Sequence, residues 1–414
     1  WRAPESARVF LTEWLRMCSR FREKRRPALT RSLKTATTSR APVRKHGMAF
    51  TKQTLKGMVK SGDRFFHSLL HSLQARSKKA PIVLFGAGEG GRKTKALLEK
   101  AGVTPAFFSD SDARKWGRLV AGLPVIPPVC IAELPHPHVV ISASDTAAIA
   151  RSLRAIGVEG IEARLYLMLQ TIPYRDAFLR NQDELERVRA LLADARSLHT
   201  FDALCAHAFS LNAALLSSVC EPRQYFFGEP FAVHQGDVFV DVGAWQGDTL
   251  RAVLRRFGAR FHSVHCFEPN AESCAALRAF IRARHLCGKV FAHPVAVGDA
   301  PGRAYFSGTG TGYHRSGEGE QGASVAMTTL DAVFARSRVD FIKFDIEGAE
   351  PEALRGAQKI ITRGLPRLAV CIYHAPEHFW EIPLMLAKMV PEYTFYLRHH
   401  SRGLYETVWY AARR

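Results

Sequence analysis

The residues Asp237–Arg251, DVFVDVGAWQGDTLR, combine an apolar run, a glycine-rich turn and the beginning of a helical segment. The run Val238–Val240 is short and rich in β-formers, as is typical of a buried strand. Gly243 and Gly247 follow it, and glycines at such a turn allow the backbone to approach a ligand closely. A strand, a turn and a helix in this order predict an open α/β sheet with a ligand site at the carboxyl ends of its strands.

A second strand pattern ends in an acidic residue. The apolar run Val264–Phe267 is followed by Glu268, Pro269 and Asn270. A carboxylate at the end of the second strand can accept hydrogen bonds from both hydroxyls of a ribose. Asp241, at the end of the first strand, suits the amino-carboxylate end of a cofactor, either by orienting the loop or by meeting the ammonium group. This layout predicts an S-adenosylmethionine site rather than a dinucleotide site.

Five motifs in this order carry a resemblance to a known family: DVGAWQGDT, FEPN, VAVGD, TTLDAVF and IKFDIEGAE. Over roughly residues 221–411 the chain resembles the FkbM-type methyltransferases, a class I branch. The resemblance implies a class I sheet with an antiparallel last strand, S-adenosyl-L-methionine as cofactor, and a hydroxyl of a sugar, glycan or polyketide as methyl acceptor. Trp245 stands where the general class I loop has its middle glycine, and bulky residues there resemble this family's own pattern.

The same resemblance implies which residues contact the cofactor. They are Asp241, Gly243, Ala244, Gly247, Glu268, Pro269, Asn270, Ala296, Val297 and Asp345. Methyl transfer from a sulfonium is an in-line displacement, so the enzyme gains most from positioning the acceptor. A hydroxyl acceptor must still lose a proton, and a base near the sheet edge would help.

Asp345 and His374 are the predicted catalytic residues. They follow the predicted strands Phe341–Phe344 and Leu368–Ile372, which are neighbours in class I topology, so both side chains are expected in the crevice. Glu350 is predicted to begin a helix instead. A metal held by Asp345, Glu347 and His374 is conceivable, but no close metal-ligand spacing occurs, and the sequence predicts no metal site.

A second glycine motif lies earlier in the chain. Gly86, Gly88 and Gly91 form G-x-G-x-x-G after a strand pattern, and Asp110 follows the next strand near the offset of a ribose-binding acid. Residues 78–165 resemble the Rossmann-like nucleotide-binding domains of sugar-modifying enzymes. Two interpretations remain open: a site for a nucleotide or nucleotide-sugar, or glycines that serve only close packing.

The predicted fold class is α/β, with two doubly wound domains. The predicted ranges are 1–77 for a basic, partly disordered or helical region, 78–165 for the Rossmann-like domain, 166–220 for a helical connector and 221–414 for the methyltransferase domain.

Of the net charge of +20, about +10 comes from residues 1–47, with 13 Lys/Arg and 3 Asp/Glu. Because MAFTKQ at Met48 has the form of a start, we interpret these residues as upstream sequence without a function. Residues 298–322, rich in glycine, are predicted to form a lid, a binding loop or a disordered segment.

Composition narrows the function classes. The eight cysteines include no C-x-x-C pair, which favours reduced thiols and a cytoplasmic protein over a disulfide framework or zinc site. No apolar run of about 18 residues occurs, so no membrane span is predicted. Basic runs are more often solvated than bound to nucleic acid, and no nucleic-acid partner is predicted. The expected partner is a small molecule or glycan, and the oligomeric state stays open.

Two other functions compete with methyl transfer. The first is a nucleotide-dependent oxidoreductase or epimerase using the N-terminal glycine loop, which is disfavoured because residues 78–165 are too short to add a substrate site. The second is a non-catalytic nucleotide-binding scaffold, against which the acids Asp241, Glu268 and Asp345 count. The sequence does not identify the methyl acceptor.

Overall fold

The computed structural model describes residues 51–143, 145–307, 314–316, 323–401 and 403–413. Two compact units make up the described chain: unit 1 contains Val59–Gln170, and unit 2 contains Thr171 onwards together with residues 51–58. Most of the predicted N-terminal region, residues 1–50, lies outside the described residues, as do residues 308–313 and 317–322 of the glycine-rich loop. The described part of that N-terminal region is the helix α1 (Lys52–Ser77). The four predicted domain ranges stay predictions.

Unit 1 is an α/β unit with a mostly parallel sheet. Its strands are β1 (Ile82–Phe85), β2 (Phe107–Ser109), β3 (Leu119–Val120), β4 (Leu123–Ile126), β5 (His138–Ile141) and β6 (Gly160–Glu162). Its main helices are α2 (Glu89–Lys100) and α3 (Thr146–Ala155), with 3-10 turns at Ala113–Lys115 and Pro128–Glu133. The strand order is β3-β4-β2-β1-β5-β6, and only β3 runs antiparallel to its neighbour among these strands. Strands β1 and β5 are buried at every position, in agreement with the apolar residues of β1 and of Val139–Ile141 in β5.

Unit 2 contains the larger sheet. Its strands are β7 (Val238–Val242), β8 (Ser263–Phe267), β9 (Val290–His293), β14 (Phe341–Phe344), β15 (Arg367–Cys371), β16 (Tyr393–His399) and β17 (Thr407–Arg413). A smaller sheet contains β10 (Ala296–Val297), β11 (Gly302–Ser307), β12 (His314–Ser316) and β13 (Ala323–Thr328). The helices after β7 are α8 (Asp248–Phe257), α9 (Ala271–Ala283), α10 (Leu330–Val333), α11 (Glu350–Arg355), α12 (Gln358–Gly364) and α13 (His378–Met389).

The strand order of the larger sheet determines where its ligand crevice lies. The order is β16-β17-β15-β14-β7-β8-β9, parallel from β15 to β9 and antiparallel at β16 and β17. The chain runs outward from β7 to β9, then returns to the other side of β7 as β14 and β15. Such a reversal opens a crevice at the carboxyl ends of the strands. The predicted α/β class and the antiparallel last strand are confirmed.

Four helices connect unit 1 to the sheet of unit 2. They are α4 (Arg164–Arg180), which contains the division between the units, α5 (Gln182–Ala190), α6 (Ala195–Ser210) and α7 (Ala214–Ser217). Helix α6 begins at a cap, Asp194, whose carboxylate also lies 2.7 Å from Nη2 of Arg398 on β16. Arg398 donates a second bond of 2.8 Å to the Ser197 hydroxyl. These buried polar contacts fix α6 against β16.

Within the described ranges, no helix is both long and apolar enough to cross a bilayer.

Candidate active site

A cavity of about 340 Å³ opens at the carboxyl ends of β7, β8, β10 and β14 in unit 2. Seven of the predicted cofactor residues line it: Gly243, Glu268, Pro269, Asn270, Ala296, Val297 and Asp345. Three others do not line it: Asp241 belongs to β7, and Ala244 and Gly247 belong to the loop that follows β7. The predicted catalytic residue His374 is likewise not among the lining residues. The volume of the cavity lies within the range of about 300–1,000 Å³ that is typical of small-molecule sites.

The loop after β7 is formed by residues with left-handed backbone conformations. Gly243 has φ +87°, and a Cβ there would lie 1.8 Å from the backbone oxygen of Asp345. Gly247, with φ +84°, precedes α8, and a Cβ at that position would meet Leu277 at 2.9 Å. Trp245 adopts φ +43° although it is not glycine. Glycine is therefore required at position 243 by close backbone packing as well as by conformation.

Glu268 joins the two loops that border the cavity. Its carboxylate accepts hydrogen bonds from the backbone N–H of Trp245 (2.8 Å) and of Asn270 (2.7 Å). Burial raises the pKa of Glu268 above its usual value. Asn270 in turn caps α9 by accepting a bond of 2.9 Å from the Ser273 N–H. Each Glu268 oxygen retains a further lone pair, so the carboxylate can still accept hydroxyl donors from the cavity.

A buried ion pair supports the first loop from below. Nζ of Lys343 lies 3.0 Å from the Asp241 carboxylate and donates a bond of 2.6 Å to the carbonyl of Gly243. The two residues are partners in the parallel register of β14 and β7, and both are buried. Burial raises the pKa of Asp241 to about 6, although the Lys343 ammonium opposes the shift. Of the two roles predicted for Asp241, this geometry favours orienting the loop.

Lys343 was missed by the sequence analysis, although a signal was present. A lysine inside the apolar strand Phe341–Phe344 is unexpected unless a carboxylate is buried beside it. Parallel pairing of this strand with β7 would have identified Asp241 as that carboxylate.

Asp345 accepts hydrogen bonds at both carboxylate oxygens. The Tyr225 hydroxyl donates to Oδ2 at 2.9 Å and the Tyr373 hydroxyl to Oδ1 at 3.1 Å. Lys343 lies 3.9 Å from Oδ2, and Nε2 of His374 lies 3.5 Å from Oδ1. Burial acts to raise the pKa of Asp345, but Lys343 and His374 lower it below its usual value. Asp345 is consequently held as a carboxylate at the cavity wall.

His374 lies behind this wall, in contact with carboxylates. Its Nδ1 lies 2.8 Å from Oε1 of the fully buried Glu350, which also accepts the backbone N–H of Ile346. Its Nε2 faces Asp345 and, at 3.7 Å, Glu347. Burial acts to lower the pKa of His374, but Glu350 and the other carboxylates raise it to about 9. An imidazolium cannot accept a proton, so His374 is suited to positioning Asp345 rather than to base catalysis.

A second carboxylate at the cavity was also missed by the sequence analysis. Glu406, between β16 and β17, lines the cavity and accepts a hydrogen bond from the Gln224 side chain. Burial raises the pKa of Glu406 to about 7, and the nearby Asp345 carboxylate adds to the shift. Gln224 and Tyr225 belong to the segment before β7 and contact Glu406 and Asp345, respectively. No local sequence pattern places Glu406 near Asp345, because tertiary folding alone brings them to one cavity.

The acidic cluster also has the composition of a metal site. Ligand atoms of Asp345, Glu350 and His374 lie within 4.8 Å of one another. The imidazolium of His374 already neutralises charge at this position, and Nδ1 is occupied by Glu350. The absence of a metal site stays a prediction.

In unit 1, packing explains most of the glycine motif. A Cβ at Gly91 would lie 1.9 Å from the carbonyl oxygen of Gly86, and one at Gly86 would lie 2.9 Å from the Ser142 carbonyl. Gly88, which caps α2, has open space around it. Asp110 accepts bonds from the Ala87 N–H at 2.8 Å, the Asp112 N–H at 2.9 Å and Lys115 at 2.8 Å. The structure therefore supplies a packing reason for Gly86 and Gly91, and the second nucleotide site stays a prediction.

Comparison with known proteins agrees with the geometry of unit 2. Residues 241–401 match a family described as the methyltransferase FkbM domain. The fold is similar to the crystal structure of a methyltransferase FkbM from Methylobacillus flagellatus KT, with a TM-score of 0.61 and 19% identity, over 86% of this chain and 98% of that chain. An rRNA methylase from Streptococcus thermophilus is similar over 44% of this chain and 89% of its own, with 13% identity and a TM-score of 0.29, too low to bear on function. No curated protein sequence matches the chain.

Proposed function

We propose that this methyltransferase, whose residues 241–401 match the methyltransferase FkbM domain, uses S-adenosyl-L-methionine to methylate a hydroxyl of a sugar, a glycan precursor or a related metabolite. The observation that carries the proposal is the position of Glu268, a carboxylate that ends β8, lines the cavity and joins its two bordering loops. A carboxylate here suits the paired hydroxyls of a ribose.

The residues around the cavity fit the parts of this cofactor. Glu268 and Asn270 provide acceptors for ribose hydroxyls, and the apolar Val295–Val297 segment suits an adenine ring. The loop at Gly243 allows close backbone approach, while Asp345 supplies a negative charge that favours a cation. The bound cofactor would supply an electrophilic methyl group on a sulfonium. None of these cavity residues requires a second cofactor in order to contact S-adenosyl-L-methionine.

The acceptor is proposed from the polar end of the cavity. Asp345, Tyr373 and Glu406 line this end with two carboxylates and a phenol, which suit a hydroxylated molecule better than an apolar one.

The ligand of unit 1 is proposed to be a nucleotide or nucleotide-sugar, since Gly88 leaves open space before α2. We propose a cytoplasmic location, which the free thiols of the described cysteines support.

The first test measures the affinity for S-adenosylhomocysteine by calorimetry. Glu268→Ala should weaken binding at least about tenfold, which corresponds to roughly 1.4 kcal/mol for a lost charged hydrogen bond. The matched control is Glu272→Ala, since Glu272 is an exposed glutamate in the first turn of α9. Equal affinity of wild type and Glu268→Ala would refute the cofactor assignment.

A further inference from the structure

Two carboxylates line the same cavity but are held in different ways. Asp345 accepts donors at both oxygens, from Tyr225 and Tyr373, and lies near Lys343 and His374. These four side chains stabilise the negative charge of Asp345. A carboxylate stabilised in this way is a poor proton acceptor, because protonation would sacrifice these contacts.

The negative charge of Glu406 is stabilised by fewer hydrogen bonds than that of Asp345. In the described part of the chain, the amide of Gln224 is the one side-chain donor to its carboxylate. Its backbone lies in the left-handed region with φ +63°, and its carbonyl accepts the His400 N–H at 3.0 Å. A non-glycine residue in this conformation is uncommon and must be held by its surroundings. The turn between β16 and β17 thus holds the Glu406 carboxylate at the cavity.

We propose that Glu406, rather than Asp345 or His374, is the general base that accepts the proton of the acceptor hydroxyl. The inference rests on the proposed function, because only a hydroxyl acceptor has a proton to lose. In this role Asp345 remains ionised and provides a fixed negative charge. His374 and Lys343 position Asp345 from behind the wall.

In this step one bond to the methyl carbon forms as another breaks. The acceptor oxygen forms a bond to the methyl carbon, the carbon–sulfur bond breaks, and its electron pair remains on sulfur. The hydroxyl proton passes to Glu406, which changes from carboxylate to carboxylic acid. Glu406 then releases this proton to solvent before the next turnover.

The charges around Glu406 agree with this division of roles. The titratable or polar groups that face it come from three places: Lys343 on β14 and Asp345 directly after it, Cys371 on β15 with Tyr373 and His374 shortly after it, and Gln224 and Tyr225 in the segment before β7. Burial and the Asp345 charge raise the pKa of Glu406 to about 7, whereas the pKa of Asp345 is lowered. A base whose pKa lies near the working pH is the most effective, and opposite shifts in neighbouring acids separate their roles.

The experiment uses the full chain and the variants Glu406→Gln and Asp345→Asn. The matched control is Glu392→Gln, an exposed glutamate in the turn before β16. Carbon-13 NMR of labelled glutamate carboxyls follows the resonance that Glu406→Gln removes, calorimetry measures binding of S-adenosylhomocysteine, and a labelled methyl donor measures transfer to a panel of monosaccharides and nucleotide sugars. The NMR titration requires neither cofactor nor acceptor.

The expected results are a Glu406 carboxyl that titrates near neutral pH and a Glu406→Gln variant that binds S-adenosylhomocysteine within about threefold of wild type. Turnover by this variant should fall by about 10² to 10⁴, the usual contribution of a base. The rise of the wild-type rate through about pH 7 should be absent from the variant. A Glu406 carboxyl that titrates near the ordinary value of about 4.3 would overturn the inference. So would a Glu406→Gln rate within about threefold of wild type.

Failure of the proposed function gives a different result. In that case wild type does not bind S-adenosylhomocysteine, while the titration of Glu406 is still measured.

Discussion

At the scale of single residues, the charge of His374 makes stability depend on pH. Glu350 and the neighbouring carboxylates raise the pKa of His374 from 6.5 to about 9 despite burial. A raised pKa in the folded state means that the stabilisation is fully present below about pH 6.5 and is lost as the pH rises through about 9. The difference in unfolding free energy between wild type and His374→Gln should therefore shrink between these pH values, by on the order of 3 kcal/mol. Urea unfolding at several pH values measures this difference. The matched control is His262→Gln, at an exposed histidine before β8, and a pH-independent difference for His374→Gln would contradict the assignment.

At the scale of elements, the pair Asp241–Lys343 joins β7 to β14 beneath the glycine loop. Lys343→Met should destabilise the protein by about 3–5 kcal/mol at pH 8, because a buried carboxylate is left without its cation. The loss should be smaller at pH 5, since Asp241 already has a pKa of about 6 and becomes neutral. Chemical denaturation at both pH values tests this expectation. The double variant Asp241→Asn with Lys343→Met removes both charges and should recover part of the stability. A double variant less stable than Lys343→Met would show that Asp241 contributes through another contact.

The same elements show what a sequence can and cannot predict. The glycine turn after β7 and the strand-end acids Glu268 and Asp345 were predicted, because the carboxyl ends of parallel strands meet at one edge. Lys343 was recognisable only after pairing β14 with β7. Glu406 was not predictable, because a turn between antiparallel strands carries no periodicity that points to a cavity. His374 is predicted to lie in the crevice but lies behind its wall, and its protonation depends on Glu350, whose buried contact appears only in three dimensions.

At the scale of the whole molecule, each unit should be identifiable by the ligand that raises its unfolding temperature. S-adenosylhomocysteine should raise the unfolding temperature of unit 2, since a ligand that binds only the folded state stabilises it by mass action. Calorimetric scans with this compound, with UDP-glucose and with NAD should assign each shift to one unit. Glu268→Ala should reduce the shift caused by S-adenosylhomocysteine and leave any shift caused by UDP-glucose unchanged. A shift with NAD accompanied by hydride transfer would favour the oxidoreductase alternative, and a shift caused by S-adenosylhomocysteine that survives in Glu268→Ala would contradict the cavity assignment.

The left-handed turn at Trp245 has a spectroscopic consequence. The residue lines the cavity with 41% of its surface exposed, and its backbone is bonded to Glu268. An indole in this position is an intrinsic fluorophore whose polarity and quenching change when the cavity fills. Trp380 and Trp409 are buried and Trp116 belongs to unit 1, so among the described residues Trp245 is the exposed tryptophan of unit 2. The bulky residue at the glycine position therefore gives the enzyme an optical signal of occupancy that needs no attached dye.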